Sequence, residues 1–221
     1  MTELILTADG SHTLYVPEMN EHYHSIHGAI QESQFIFINN GFNACGADPL
    51  NILEIGFGTG LNAFLTALRC CNETRYVHYT AVEKYPLSKE ITASLNYPDF
   101  TGEKTRGLFD LIHNSPWNSE VSICNYFKLN KTEADVTSSI PSGPYDLIYF
   151  DAFGPDKQPE IWSEDVFRRI ESQTSEKGLL VTYSAKGQVK RNLRECGFEV
   201  SLLPGPPGKR QIIRAEKKIN F

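Results

Sequence analysis

The sequence predicts an α/β fold of Rossmann-like type, with a mainly parallel sheet, helices on both faces and an antiparallel hairpin at the C-terminus. Three observations predict it. Short apolar runs alternate with helix-period segments from about residue 49 onward, the pattern of βαβ units. A glycine turn, Gly56-Phe-Gly-Thr-Gly60, separates the first apolar run from the first helical segment. Finally, the strand-like runs 198–203 and 211–215 are joined only by Pro204-Gly-Pro-Pro-Gly208 and what directly follows it. That connection is too short for a crossover helix, so these two strands must be antiparallel.

Taken in order, residues 1–48 read as an N-terminal strand-rich extension, with strand-like pieces at 13–16 and 35–38 and turn chemistry at Asn39-Asn40-Gly41. Residues 49–221 read as the main domain. Its strands are expected at 52–55, 79–82, 122–127, 147–150, 178–183, 198–203 and 211–215, and its helices at 61–69, 87–95, 165–173 and 188–196. No apolar run approaches the roughly 20 residues of a membrane span, and the polar N-terminus lacks a signal-peptide core, so the chain is expected to be cytoplasmic. The five cysteines show no C-x-x-C spacing, and their odd number favours reduced thiols.

The net charge of −6 argues against indiscriminate nucleic-acid binding, but the charge is uneven. Residues 186–218 carry nine Lys or Arg against three Glu, a net +6 that leaves −12 for the remainder. This is either an anion-binding surface or a solvated helix face with a charged tail.

The glycine turn, answered by Glu83 at the end of the next apolar run, indicates a nucleoside ligand. Glycines let the chain turn sharply and let a flat ligand approach bare backbone, and a strand-end carboxylate can grip two ribose hydroxyls. A dinucleotide site wants G-x-G-x-x-G, whereas here Leu61 occupies the last position. G-x-G-x-G preceded by Glu54 is the pattern of S-adenosylmethionine-dependent methyltransferases. It assigns Glu54, Gly56, Phe57, Gly58, Thr59, Gly60 and Glu83 to the cofactor. Asp135 is a candidate acceptor for an adenine amino group or a helix N-cap. Asp151 ends the apolar strand Leu147-Ile-Tyr-Phe150, at the sheet edge where open α/β folds bind ligands, and is the catalytic candidate.

Against these residues the chain resembles a known family. The run Tyr145-Asp-Leu-Ile-Tyr-Phe-Asp-Ala-Phe-Gly-Pro-Asp-Lys-Gln-Pro-Glu-Ile-Trp162 closely resembles the methyltransferase domain of MnmC-type bacterial tRNA-modification enzymes. Leu53–Asn62, Thr182–Arg191, Gly208-Lys-Arg210, Gly28–Ser33 and Phe35–Ile38 are similar as well, so the resemblance covers nearly the whole chain. It implies a class I S-adenosylmethionine-dependent fold and methylation of the exocyclic amine of 5-aminomethyl-(2-thio)uridine at the tRNA wobble position. The two-domain members carry a flavin-dependent oxidase after the methyltransferase. This chain ends at Phe221 and so resembles a stand-alone methyltransferase, with a separate enzyme supplying the aminomethyl uridine.

On this reading Asp151 orients the amine or draws off its proton. Phe153, Pro155, Pro159 and Trp162 either wall a base pocket or pack a Pro-rich turn. Tyr183, Lys186, Lys190, Arg191, Lys209 and Arg210 face the anticodon loop, whose single-stranded bases are easily splayed out. His12, His22, His24 and His27 lie close in sequence, but no Cys is near and displacement at a sulfonium requires no metal, so no metal is expected. Cys70 and Cys71 are expected to pack. The competing readings are a small-molecule amine methyl- or aminopropyl-transferase of the same fold, and a non-catalytic scaffold that binds RNA or protein.

Overall fold

In the computed structural model, which describes residues 2–102 and 105–219, two sheets form. β1 (Glu3–Leu6), β2 (His12–Val16) and β3 (Glu21–His22) make a small antiparallel sheet. The main sheet has eight strands: β4 (Leu50–Ile55), β5 (Val77–Glu83), β6 (Glu120–Cys124), β7 (Phe127–Glu133), β8 (Tyr145–Phe150), β9 (Thr174–Thr182), β10 (Phe198–Pro204) and β11 (Gln211–Lys217). Its order is β10-β11-β9-β8-β4-β5-β7-β6. The pairs among β7, β5, β4, β8 and β9 are parallel, while β11 pairs antiparallel with both β9 and β10. The predicted C-terminal hairpin is therefore present and closes one edge.

Helices cover both faces. α1 (Ala29–Ser33), α2 (Leu61–Glu73) and α4 (Arg106–Asn114) contribute to one buried cluster with Ile52, Tyr79 and Tyr149. α5 (Glu164–Gln173) and α6 (Gly187–Glu195) pack on the other with Leu53, Ile148 and Phe150. Alternate residues of β4 and β8 thus enter opposite cores, which explains why these strands read as continuous apolar runs. The short α3 (Lys89–Ala93) is started by Ser88, whose hydroxyl accepts a hydrogen bond from the Ile91 amide. Among the described residues no helix is long and apolar enough to cross a membrane.

Three expectations are corrected. The run 35–38 is not a strand: Gln34–Asn39 continues α1 as a π-wound turn and buries Ile36, Phe37 and Ile38. Four consecutive apolar residues carry no periodicity that separates the two structures. The single strand expected at 122–127 is two antiparallel strands, β6 and β7, and it is β7 that lies parallel to β5. The alternation of β7 is disguised by Lys131, only 1% exposed, in a core-facing position. Its ammonium donates to the carbonyls of Ile112 and His113 at the end of α4 and lies 4.9 Å from the Trp117 ring centroid.

Nor are all five thiols reduced. Cys71, in the last turns of α2, and Cys124, ending β6, form a disulfide, with Cys70 beside them. The two positions are 53 residues apart in sequence and meet only because α2 ends near the β6–β7 edge, a juxtaposition that cysteine spacing does not encode.

The central strand β4 has β5 on one side and β8 on the other. The chain thus departs in opposite directions from β4, opening a crevice at the carboxyl ends of these strands.

Candidate active site

A cavity of roughly 700 Å³ occupies that crevice. The glycine turn forms its floor. Gly56 has φ +89°, and a Cβ there would lie 2.7 Å from the Asp151 carbonyl oxygen, so strand β8 can approach only bare backbone. Gly58 has φ +48°, and its amide donates to Glu83 Oε2 at 3.0 Å. Glu83 Oε1 accepts from the Tyr85 amide at 2.9 Å. One carboxylate thereby ties the turn to the end of β5. Burial pushes the Glu83 carboxyl upward, opposed by these amide hydrogen bonds.

Asp151 follows β8, its amide donating to the Ile55 carbonyl at 2.9 Å. Asn62, in the first turn of α2, donates through Nδ2 to Asp151 Oδ2 at 2.8 Å and to Glu54 Oε1 at 3.0 Å. Burial, and next the negative charge of Glu32, raise the Asp151 carboxyl to about 7. Asp151 can therefore exchange a proton near neutrality. Glu54 is 0% exposed and does not border the cavity. Burial drives its carboxyl well up, and from beneath the floor it anchors Asn62. The expected direct cofactor contact of Glu54 gives way to this supporting position.

The other predicted residues divide. Gly56, Phe57, Gly58, Thr59, Glu83, Asp135, Phe153, Pro155, Tyr183, Lys186 and Lys209 border the cavity, whereas Gly60, Trp162, Lys190, Arg191 and Arg210 do not. Asp135 Oδ1 accepts from the Thr137 amide and hydroxyl, and Oδ2 pairs with Lys84 at 2.8 Å. Lys84 and then Thr137 hold its carboxyl down to about 2. The Phe153 ring meets Tyr23 edge-on at 4.9 Å. Trp162 is 3% exposed: Nε1 donates to the Phe153 carbonyl at 2.8 Å, and the ring packs on Phe150 and Phe167. It fixes the Pro-rich turn from inside rather than walling a base pocket, because a buried indole must satisfy its N–H. Lys186, at the start of α6, pairs with Asp156. Lys209 turns inward, 3.2 Å from Glu32 Oε1 and 4.7 Å from the Tyr183 ring centroid, while the neighbouring Arg210 is exposed.

Sequence reasoning missed Tyr23, His24, Glu32 and Asn62. His24 Nε2 bonds Thr59 Oγ1 at 2.7 Å, with the imidazole pushed down to about 4 by burial, so a neutral ring braces the glycine turn. Asn62 had a local signal, being polar in the first turn of a helix after a glycine turn. The other three come from the lead-in segment, whose folding over the cavity has no periodic signature.

Asn62→Leu, close to isosteric, should strip the shared donor from both carboxyls. We expect a loss of about 1–3 kcal/mol in stability and an upward move of the acid limb of the pH–rate profile, because the Asn62 hydrogen bond lowers the Asp151 pKa. Calorimetry and a pH titration of turnover check both.

Residues 110–218 match the family described as S-adenosyl-L-methionine-dependent methyltransferase. The tRNA 5-methylaminomethyl-2-thiouridine biosynthesis bifunctional protein MnmC of Cupriavidus metallidurans is 30% identical over 95% of this chain and 33% of its own length. The chain thus spans about a third of the curated relatives it matches. The crystal structure of MNMC2 from Aquifex aeolicus superposes with a TM-score of 0.80 at 28% identity, over 100% of this chain and 71% of that one. Spermidine synthase from Thermotoga maritima shares the fold at a TM-score of 0.57 and 12% identity, over 100% of this chain and 73% of that one.

Proposed function

We propose that this chain, similar to S-adenosyl-L-methionine-dependent methyltransferases, methylates the exocyclic amine of 5-aminomethyl-(2-thio)uridine at the tRNA wobble position. The observation that carries the proposal is the pairing of Asp151 with a fixed Asn62 at the cavity floor, in a chain similar throughout to enzymes named for the methylated nucleoside, 5-methylaminomethyl-2-thiouridine.

The cavity fits the cofactor. A Cβ on Gly58 would lie 3.0–3.1 Å from the Tyr23 ring, so only glycine lets that ring lie against the turn at the cavity wall. Glu83 stands at the strand end suited to a ribose, with its amide partners fixing the carboxylate. When bound, S-adenosylmethionine supplies an activated methyl group on a positive sulfur. The remaining work is positioning and proton handling. A primary ammonium has no free electron pair, so it must first lose a proton, and Asp151 Oδ is the acceptor within the cavity. Asn62 keeps the carboxylate from rotating, while Tyr23 and Phe153 present apolar ring surface for a base drawn from a single-stranded loop.

The direct test incubates the protein with S-adenosylmethionine and tRNA carrying 5-aminomethyl-2-thiouridine, then analyses the nucleosides by mass spectrometry. The wobble nucleoside should gain one methyl, and an unchanged nucleoside with a competent cofactor complex would reject the assignment. For the docking face, Lys190, Arg191 and Arg210 replaced together by Ala should weaken tRNA binding. The salt slope should fall by about 0.7 for each phosphate that is no longer neutralised, with cofactor affinity unchanged in calorimetry.

A further inference from the structure

We propose that Glu32 is a second substrate-facing carboxylate that, together with Asp151, recognises the primary ammonium of the substrate, with Lys209 as the exchangeable cation that occupies its place beforehand. This rests on the amine acceptor proposed above and names a residue that decides specificity at that site.

Glu32 and Asp151 border the same cavity although they come from opposite ends of the chain, α1 and the end of β8. Glu32 is 8% exposed. Its Oε2 is satisfied by the Ser25 amide at 2.8 Å. Its Oε1 makes no hydrogen bond, although Lys209 Nζ lies 3.2 Å away. A buried carboxylate oxygen facing a cavity without a hydrogen bond is costly, and a purely structural ion pair would be expected to close that bond. Lys209 thus neutralises Oε1 without a well-aligned hydrogen bond, and a better-placed donor can displace it.

Lys209 is suited to yield. Its ammonium also rests over the Tyr183 ring, whose hydroxyl is fixed on the Ala152 carbonyl at 2.9 Å. The ring offers a second resting place when Oε1 is taken. Its backbone is held independently by a turn in which the Lys209 amide donates to the Pro206 carbonyl, so the side chain can move without the loop. With both carboxylates ionised, Glu32, Asp151 and Lys209 together carry −1, and a substrate ammonium brings that local sum to zero. A uridine with no aminomethyl group leaves the sum at −1 and Lys209 on Oε1, so the same pair discriminates against unmodified tRNA.

The test measures equilibrium binding of two anticodon stem-loop RNAs, one carrying 5-aminomethyluridine and one carrying uridine, to the S-adenosylhomocysteine complex of the full chain. The wild type should prefer the aminomethyl RNA. Glu32→Gln, which retains an acceptor for Ser25, should reduce that preference about tenfold while leaving affinity for the uridine RNA unchanged, and should raise KM more than it lowers kcat. An unchanged preference, or equal weakening towards both RNAs, overturns the proposal. Should Glu32→Gln not fold, Lys209→Met serves: removing the competing cation should keep or enlarge the preference, and its loss overturns the proposal. Failure of the functional reading looks different, since the wild type itself would then neither discriminate nor transfer a methyl group, and the role of Glu32 would fall with it.

Discussion

Asp151→Asn should lower kcat by about 10²- to 10⁴-fold, the usual contribution of a positioned general base, with cofactor affinity and fold retained. The Asn oxygen can still accept from Asn62 Nδ2, which now holds the Asp151 carboxylate at 2.8 Å. In the wild type, turnover should rise with pH through about 7 as the carboxyl ionises, and the variant's residual rate should lack that limb. Stability should move in the opposite sense. The folded-state pKa lies above the ordinary value of 3.8, so between these values the folded protein holds a proton that the unfolded chain has released. Its stabilising contribution is complete below about pH 4 and is lost as pH rises towards 7. The displacement corresponds to at most about 4 kcal/mol, and partial contact with solvent reduces it. The Asn variant should therefore melt a few degrees above the wild type at pH 8, with the difference vanishing near pH 4. Scanning calorimetry at the two pH values decides this, and a variant that is less stable at pH 8 and still active would remove Asp151 from the mechanism.

The parts of this site that were legible in the sequence are those made by one local segment. The turn at Gly56–Gly60 and the acids at the ends of β5 and β8 are visible because a strand, a sharp turn and a carboxylate follow each other directly. Their roles were less legible than their positions: Glu54 reads as a ligand contact, yet it lies below the floor and anchors Asn62. Residues brought in from afar left no trace. Tyr23 and Glu32 reach the cavity that Asp151 borders only because the lead-in folds over it, and no period in residues 1–48 encodes that. Lys209 shows the same limit from the other side. Counted with its neighbours it suggests a surface for phosphate, whereas in the folded chain it turns inward and pairs with Glu32. Misread strands have an equally physical cause, since Lys131 is a charged residue at a core position whose donors find carbonyls at the end of α4.

Glu83→Ala should weaken cofactor binding by two orders of magnitude or more. Each Glu83 oxygen already accepts one backbone amide, Gly58 at 3.0 Å and Tyr85 at 2.9 Å, a carboxylate oxygen can accept more than one hydrogen bond, and Glu83 borders the cavity where a ribose diol would lie. Two hydrogen bonds to a charged acceptor contribute about 1.5–3 kcal/mol each, and about 3 kcal/mol already corresponds to more than 100-fold in Kd. The substitution also frees the Gly58 amide, so part of the loss should appear as a lower Tm for the unliganded protein. Glu83→Gln separates the two effects. With its oxygen kept on the Gly58 amide, the other position becomes a donor, so the turn should stay braced while the Tyr85 amide contact and half the diol's acceptors are lost. Calorimetric titration with S-adenosylhomocysteine should thus rank wild type, Gln and Ala in falling affinity, with only Ala markedly less stable. Asp135→Asn provides the contrast. Asp135 Oδ2 is occupied by Lys84 and Oδ1 by Thr137, so at most one ligand hydrogen bond can be lost there, and the effect should stay within about tenfold. If the Glu83 variants bound within threefold of the wild type, the ribose would have to lie elsewhere in the cavity, and the orientation that brings the reactive methyl towards Asp151 would have to be abandoned.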